Sequence, residues 1–170
     1  MSTVPPAPEN ALLDTATKQF RVVILGVAAS DAHAVANHLI AYLLRTRGFE
    51  VVNLGTCTPI SEFCAALAEH PQAEAVLIGS LNGHATDDLA ELPRARAAGL
   101  LDRPVIVGGN LSVGSHKTGV EAERLRALGV DHVLDDPAEL PELLDWLRAN
   151  RSAQEERCGA TDAGLPSTAS

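Results

Sequence analysis

A chain of 170 residues, 46% of them hydrophobic and 21% charged, is long enough to bury one α/β core and too short for two comfortable ones. Its 13 basic residues stand against 22 acidic ones, a net charge of −9 with no basic cluster, which excludes an electrostatic footprint for nucleic acid. Cys57, Cys64 and Cys158 are irregularly spaced and point to reduced thiols, and no apolar run reaches the ~20 residues of a membrane helix, so no membrane and a cytoplasmic setting are expected.

Residues 1–19 carry Pro5, Pro6, Pro8, Glu9 and Asp14 without a basic start followed by an apolar stretch. They read as a flexible leader and not as a signal peptide. One domain is expected over 20–150. Residues 21–27 form a continuous apolar strand of the kind covered on both faces. Residues 34–47 follow as a helix whose inner face the spacing assigns to Val35, Leu39, Tyr42 and Leu43, and again to the neighbourhood of Leu44, with Gly48 closing it. Residues 50–55 are a second strand. Thr58 and Pro59 then mark a helix start, with Thr58 as the cap, and Pro71 ends that helix after His70.

Residues 74–79 are the third strand. A small polar turn, Ser80-Leu81-Asn82-Gly83-His84, precedes a helix capped by Thr86, Asp87 and Asp88 and ending near Gly99. Residues 104–110 give a fourth strand and a glycine turn, residues 111–117 a loop, and the next helix ends at Leu128-Gly129. A short fifth strand spans 130–134, and a closing helix over 137–150 sets Leu140, Leu143, Leu144 and Leu147 on one face. Beyond Arg151 the composition reads as a disordered tail. The alternation predicts a flavodoxin-like (Rossmann-like), doubly wound five-stranded parallel sheet of order 2-1-3-4-5.

In such a sheet ligands bind at the strand-to-helix turns beside the switch in strand order. Here those turns hold Ser30-Asp31-Ala32-His33, then Gly79-Ser80-Leu81-Asn82-Gly83, then Gly108-Gly109-Asn110. A carboxylate at Asp31 disfavours a flavin or nucleotide phosphate in the first turn. A phosphoryl-accepting domain is disfavoured as well, because it needs an acidic pair after strand one, an aspartate ending strand three and a lysine ending strand five. Asp-x-His suits a metal, since a ligating imidazole commonly gives its second N–H to a carboxylate. One histidine and one carboxylate are too few for bare zinc, but enough for an ion that arrives in a macrocycle. Spacing by itself equally allows Asp31 to be an ordinary helix cap.

These residues resemble the cobalamin-binding family marked by Asp-x-His-x-x-Gly, then Ser-x-Leu, then Gly-Gly, and within it the small subunits of glutamate (methylaspartate) mutases. The likeness covers about residues 21–150, and includes Gly48-Phe49-Glu50-Val51-Val52-Asn53-Leu54-Gly55. It implies that His33 is the lower axial ligand of cobalt in adenosylcobalamin, displacing the cofactor's own base, with Asp31 behind the imidazole. It further implies that Ser30, Asp31, Ala32, His33, Ala34 and Val35 form one wall of the cofactor site. Gly79, Ser80, Leu81 and Gly83 would form a second wall. Gly108, Gly109, Asn110, Leu111, Ser112, Val113 and Gly114 would form a third.

Two positions depart from the family pattern: Ala36 stands where glycine is usual, and Gly79 where the first serine of Ser-x-Leu is usual. The resemblance implies an isomerase active only with a larger, barrel-shaped catalytic subunit, on which a cofactor-derived radical rearranges glutamate to 3-methylaspartate. A corrinoid carrier in methyl transfer is the alternative; those carriers usually place a long helical segment before the cobalamin domain, and only about twenty residues precede strand one here. A cofactor-free regulatory module of the same fold is the third reading, motivated by Ala36 and Gly79. His84 is read as either lining the nucleotide slot or solvated, His116 and Lys117 as surface residues, and Cys57 and Cys64 as thiols in or near the core.

Overall fold

The computed structural model describes residues 21–109 and 119–160, and for 154–160 the backbone only. Strand β1 (Arg21–Val27) is buried from Val22 onward, as a strand covered on both faces must be. It pairs in parallel with β2 (Phe49–Asn53) on one side and β3 (Ala75–Gly79) on the other. Strand β4 (Val105–Gly108) continues from β3, and β5 (His132–Leu134) from β4. The order β2-β1-β3-β4-β5 matches the sequence expectation. It reverses between β1 and β3, and a crevice opens there at the carboxyl ends of the strands.

Successive side chains of a strand point to opposite faces, and two cores result. Val22, Ile24, Val76, Ile78, Val105 and Val107 pack in one, against Phe63 and Leu67 of α2 (Ile60–Glu69) and Leu92 of α4 (Leu92–Ala97). Leu125 of α5 (Gly119–Ala127) closes the same layer. Val23, Leu25, Leu77 and Ile106 face the other way. There they meet Ala41 and Leu44 of α1 (Ala34–Thr46) and Leu140 and Leu144 of α6 (Leu140–Ala160), with Leu143 and Leu147 partly buried against the same cluster, so all four leucines the sequence placed on that helix face pack on this core.

Several local expectations are corrected. The inner face of α1 is Asn37, Ala41 and Leu44, whereas Val35, Leu39 and Tyr42 are 75%, 63% and 69% exposed. Both stripes of this helix are apolar enough to satisfy a periodicity argument, and the path of the chain out of β1 turns the second one outward. Thr58 does not cap α2. Pro59 holds the cap position without a side-chain bond, and Thr58 is instead buried against β1, its amide donating to the Val27 carbonyl.

The helix expected from Thr86 to Gly99 is two short ones, α3 (Ala85–Asp88) and α4. Asp88 is not a cap, because its carboxylate accepts from the amide and hydroxyl of Ser30. The fifth strand is shorter than predicted, and a 3-10 turn at Pro137–Glu139 precedes α6. Helix α6 continues past Asn150 to Ala160, and Arg151 donates to the Glu74 carbonyl at 2.7 Å. Cys57 is exposed, not in the core, while Cys64 is half-buried and packs against the first core.

Gly26, in the middle of β1, lies under the buried ring of Phe63. A Cβ there would stand 2.7 Å from Phe63 Cζ. Gly26→Ala is therefore an overpacking change, expected to lower stability by about 1–3 kcal/mol and to be read as a reduced urea midpoint at unchanged slope.

Candidate functional site

Three loops meet on one residue. Asp31 is 1% exposed and sits in the turn after β1, its own amide bonded to the Ala28 carbonyl. Its Oδ1 accepts from the amide of His33 at 2.9 Å and faces the ring Nδ1 of His33 at 2.5 Å. Its Oδ2 accepts from the amides of Leu81 at 2.5 Å and Asn82 at 3.2 Å, in the turn after β3. Its backbone carbonyl accepts from the amide of Cys57 at 3.0 Å, in the loop after β2, where Cys57 takes φ of 56°. The helix-cap reading of Asp31 is thereby replaced: His33 holds the cap position of α1, and no side chain caps it.

Burial alone pushes the Asp31 carboxyl up, but the amides of Leu81 and His33 and the His33 ring together outweigh it. They hold the group below the usual carboxylate range. His33 itself is outward, with its side chain 60% exposed. An ionised carboxylate at Nδ1 accepts a hydrogen bond from the Nδ1–H tautomer of the ring, in which the Nε2 lone pair is available to a ligand. No described residue bonds to Nε2.

Below His33 lies a crevice of about 560 Å³ between the ends of β1, β3 and β4 and the first turns of α1, α5 and α6. Of the predicted residues, His33, Gly79, Leu81, Gly108 and Gly109 line it. Ser80 is fully buried beside it, with its Oγ 3.4 Å from Asn82 Oδ1, and so does not present a hydroxyl to the cavity in place of the one missing at Gly79. Ser30 is tied to Asp88 and accepts from Asn82 Nδ2 at 2.8 Å, which holds the two turns together outside the crevice. Ala32, Ala34 and Val35 are exposed and do not line it, nor does Gly83. Asn110, Leu111, Ser112, Val113 and Gly114 lie outside the described residues, as do His116 and Lys117. His84 is largely exposed and lies off the crevice.

The glycines differ in what they do. Gly109 has φ of 125°, and a Cβ there would come within 2.1 Å of the Ser80 carbonyl oxygen, so the close approach of the β3 and β4 turns requires glycine. At Gly79 the nearest atoms to a Cβ are 3.8 Å away, ordinary contact distance. Ala36 lines the crevice, with its methyl where the family pattern has none.

Sequence reasoning missed Asn37, Glu121 and Arg126, which also line the cavity. Asn37 alone carried a signal: a polar side chain one turn after His33, on a helix face that turns out to be buried. Among the described residues no group of three or more His, Cys, Asp or Glu could hold a bare metal ion. The donor set of one exposed imidazole backed by a buried carboxylate fits a metal complex that asks the protein for a single nitrogen.

The family described as the B12 binding domain matches residues 21–143. The chain belongs to that family. Relatives similar to it include the glutamate mutase sigma subunit of Halobacterium salinarum, 38% identical over 84% of this chain and 95% of that one. Glutamate mutase sigma subunit 1 of Haloarcula marismortui is 41% identical over 75% and 84%. Among solved structures, a cobalamin-binding protein from Desulfitobacterium hafniense superposes with a TM-score of 0.63 at 21% identity, over 76% of this chain and 60% of that one. The methanol:cobalamin methyltransferase complex of Methanosarcina barkeri gives 0.61 at 24%, over 75% and 46%. The chain spans less than two thirds of either solved protein, and at these identities the likeness is one of fold.

The Asp31 carboxyl yields a pH test. A group held below its unfolded value of about 3.9 contributes stability that is complete above that value and is lost as pH falls through the folded one. Asp31→Asn is therefore expected to destabilise the chain at about pH 5 and above, and the stability gap to the unmutated chain to close as pH falls below about 4, as measured by urea unfolding at a series of pH values.

Proposed function

We propose that this chain is the cobalamin-binding subunit of an adenosylcobalamin-dependent carbon-skeleton mutase that interconverts glutamate and 3-methylaspartate, with His33 as the protein's ligand to cobalt. The observation that carries the reading is the imidazole of His33 held at Nδ1 by a buried carboxylate, at a crevice lined by Leu25, Leu77 and Ile106 and by the glycines Gly79, Gly108 and Gly109. Support for the mutase comes from relatives 35–41% identical over most of the chain, each named as a glutamate mutase sigma subunit.

Bound adenosylcobalamin supplies homolysis of its cobalt–carbon bond, and with it the radical chemistry of the rearrangement. The residues of this chain bind and orient. Asp31 fixes the tautomer and direction of the His33 ring, since the same carboxylate is clamped by the amides of Leu81 and Asn82. Gly79, Leu81, Gly108 and Gly109 leave a slot for the cofactor's displaced nucleotide tail. The substrate site belongs to a larger partner, a barrel-shaped subunit on our reading. The word subunit in the relatives' names supports a partner, as does the exposed apolar stripe Val35, Leu39 and Tyr42 on the helix that begins at His33. No helix among the described residues is long and apolar enough to cross a membrane.

Titration of the chain with adenosylcobalamin is expected to give the base-off, histidine-on absorption change, and His33→Ala to abolish it. An unmutated chain that leaves the spectrum unchanged would favour the cofactor-free module instead, and turnover of glutamate by this chain without a partner would sink the subunit assignment. Gly79→Ser adds a hydroxyl where a side chain fits without contact strain. It is expected to tighten cobalamin by about fivefold, the worth of one net hydrogen bond of ~1 kcal/mol, with thermal stability retained.

A further inference from the structure

Asn37 carries an unsatisfied acceptor. Its orientation follows from a short chain of hydrogen bonds. The amide of Gly55 donates to Asn53 Oδ1 at 2.9 Å, so the atom of Asn53 at that place is oxygen. The atom of Asn37 that faces the same oxygen at 2.8 Å must then be nitrogen, and it also lies 3.4 Å from the Gly55 carbonyl. Both acceptors engage Nδ2, which leaves Oδ1 as the other end of the carboxamide. That oxygen is fully buried and has no partner among the described residues, in a residue 3% exposed. Buried polar atoms are almost always paired, and each exception calls for a reason.

The reason is the crevice. Asn37 lines it beside Ala36, Ile40 and Leu25, a wall otherwise apolar. It lies four residues after His33, which holds the cap position of α1, and so about one turn into that helix from the histidine. We propose that Asn37 Oδ1 accepts a hydrogen bond from a donor on the nucleotide tail of the bound corrinoid, and that it selects for such a donor. This inference rests on the cobalamin reading above and deepens it. An acceptor cannot recognise a phosphate oxygen, a bare ring nitrogen or the methylated benzimidazole ring. It recognises a hydroxyl or an N–H. The nucleotide itself offers two sources: the ribose hydroxyls, present in every cobamide, and an amino group on the lower base, present when that base is adenine; the amide N–H of the linker that joins it to the corrin ring is shared with cobinamide.

Three probes separate these: adenosylcobalamin, the adenine-base analogue, and adenosylcobinamide, which has no nucleotide tail. Each is titrated by absorption into the unmutated chain and into Asn37→Leu, with thermal unfolding of the variant followed in parallel. Recognition of a ribose hydroxyl predicts that Asn37→Leu weakens both full cobamides by about tenfold, the size of one lost hydrogen bond, and leaves adenosylcobinamide within about twofold. Recognition of the base predicts the loss for the adenine analogue alone. Equal weakening of all three probes, cobinamide included, or no weakening of any, overturns the inference while the cobalamin reading stands. Failure of the unmutated chain to bind any corrinoid overturns both.

Should Asn37→Leu not fold, the unmutated chain decides alone. Cobalamins methylated at one ribose hydroxyl or the other are expected to include one that binds about tenfold more weakly, or else the adenine analogue to bind more tightly than adenosylcobalamin by a similar factor. Indistinguishable affinities across that set overturn the inference.

Discussion

The site depends on a carboxylate removed from water. A bare ionised group in that position would cost several kcal/mol, and Asp31 avoids the cost only because donors converge on it: the amides of His33, Leu81 and Asn82 and the His33 ring. Those donors come from the turns after β1 and β3, and the Asp31 carbonyl adds the loop after β2. The turns have one low-energy arrangement because one charge must be satisfied. The direction of the imidazole, the mouth of the crevice and the docking of the loops are thus aspects of a single electrostatic requirement.

The opposite end of the sheet is closed by a different network. Arg21 pairs with Glu74 at 2.9 Å and with Asp145, and stacks over the Phe49 ring at 4.3 Å. Arg148 reaches the same glutamate at 3.2 Å, which fastens α6 to the sheet. Arg96 and Asp131 join α4 to the start of β5, and Asp131 accepts the Val105 amide at 2.7 Å. Charged pairs and a long helix lock the amino ends of the strands, while the carboxyl ends remain open. This division lets an α/β sheet serve as a rigid mount for a ligand.

Much of this was legible in the amino-acid sequence. The strands were, because a strand buried on both faces is a continuous apolar run that no helix face imitates over six residues such as Val22 to Val27. The face of α1 was not. Val35, Leu39 and Tyr42 repeat as regularly as a core stripe should, and only the direction in which the chain leaves β1 shows that Asn37, Ala41 and Leu44 are the ones turned inward. Asp31 beside His33 was visible as a motif. Its role as a clamp was not, since that role depends on amides fifty residues away in sequence. Asn37 escaped for a related reason: it lies on α1 while its partner Asn53 ends β2, and an unpaired oxygen is a property of three dimensions.

Where the turns of β3 and β4 meet, the contact is main chain against main chain, with Gly109 lying so close to the Ser80 carbonyl that no side chain could come between them. The width of the slot is accordingly a property of the chain's path, whereas its chemistry is a property of the side chains around it. Lining residues such as Gly79 and Ala36 are free to vary in polarity and volume over generations without the slot being lost. A single architecture can in this way be retuned for related tails, with geometry inherited and selectivity adjustable.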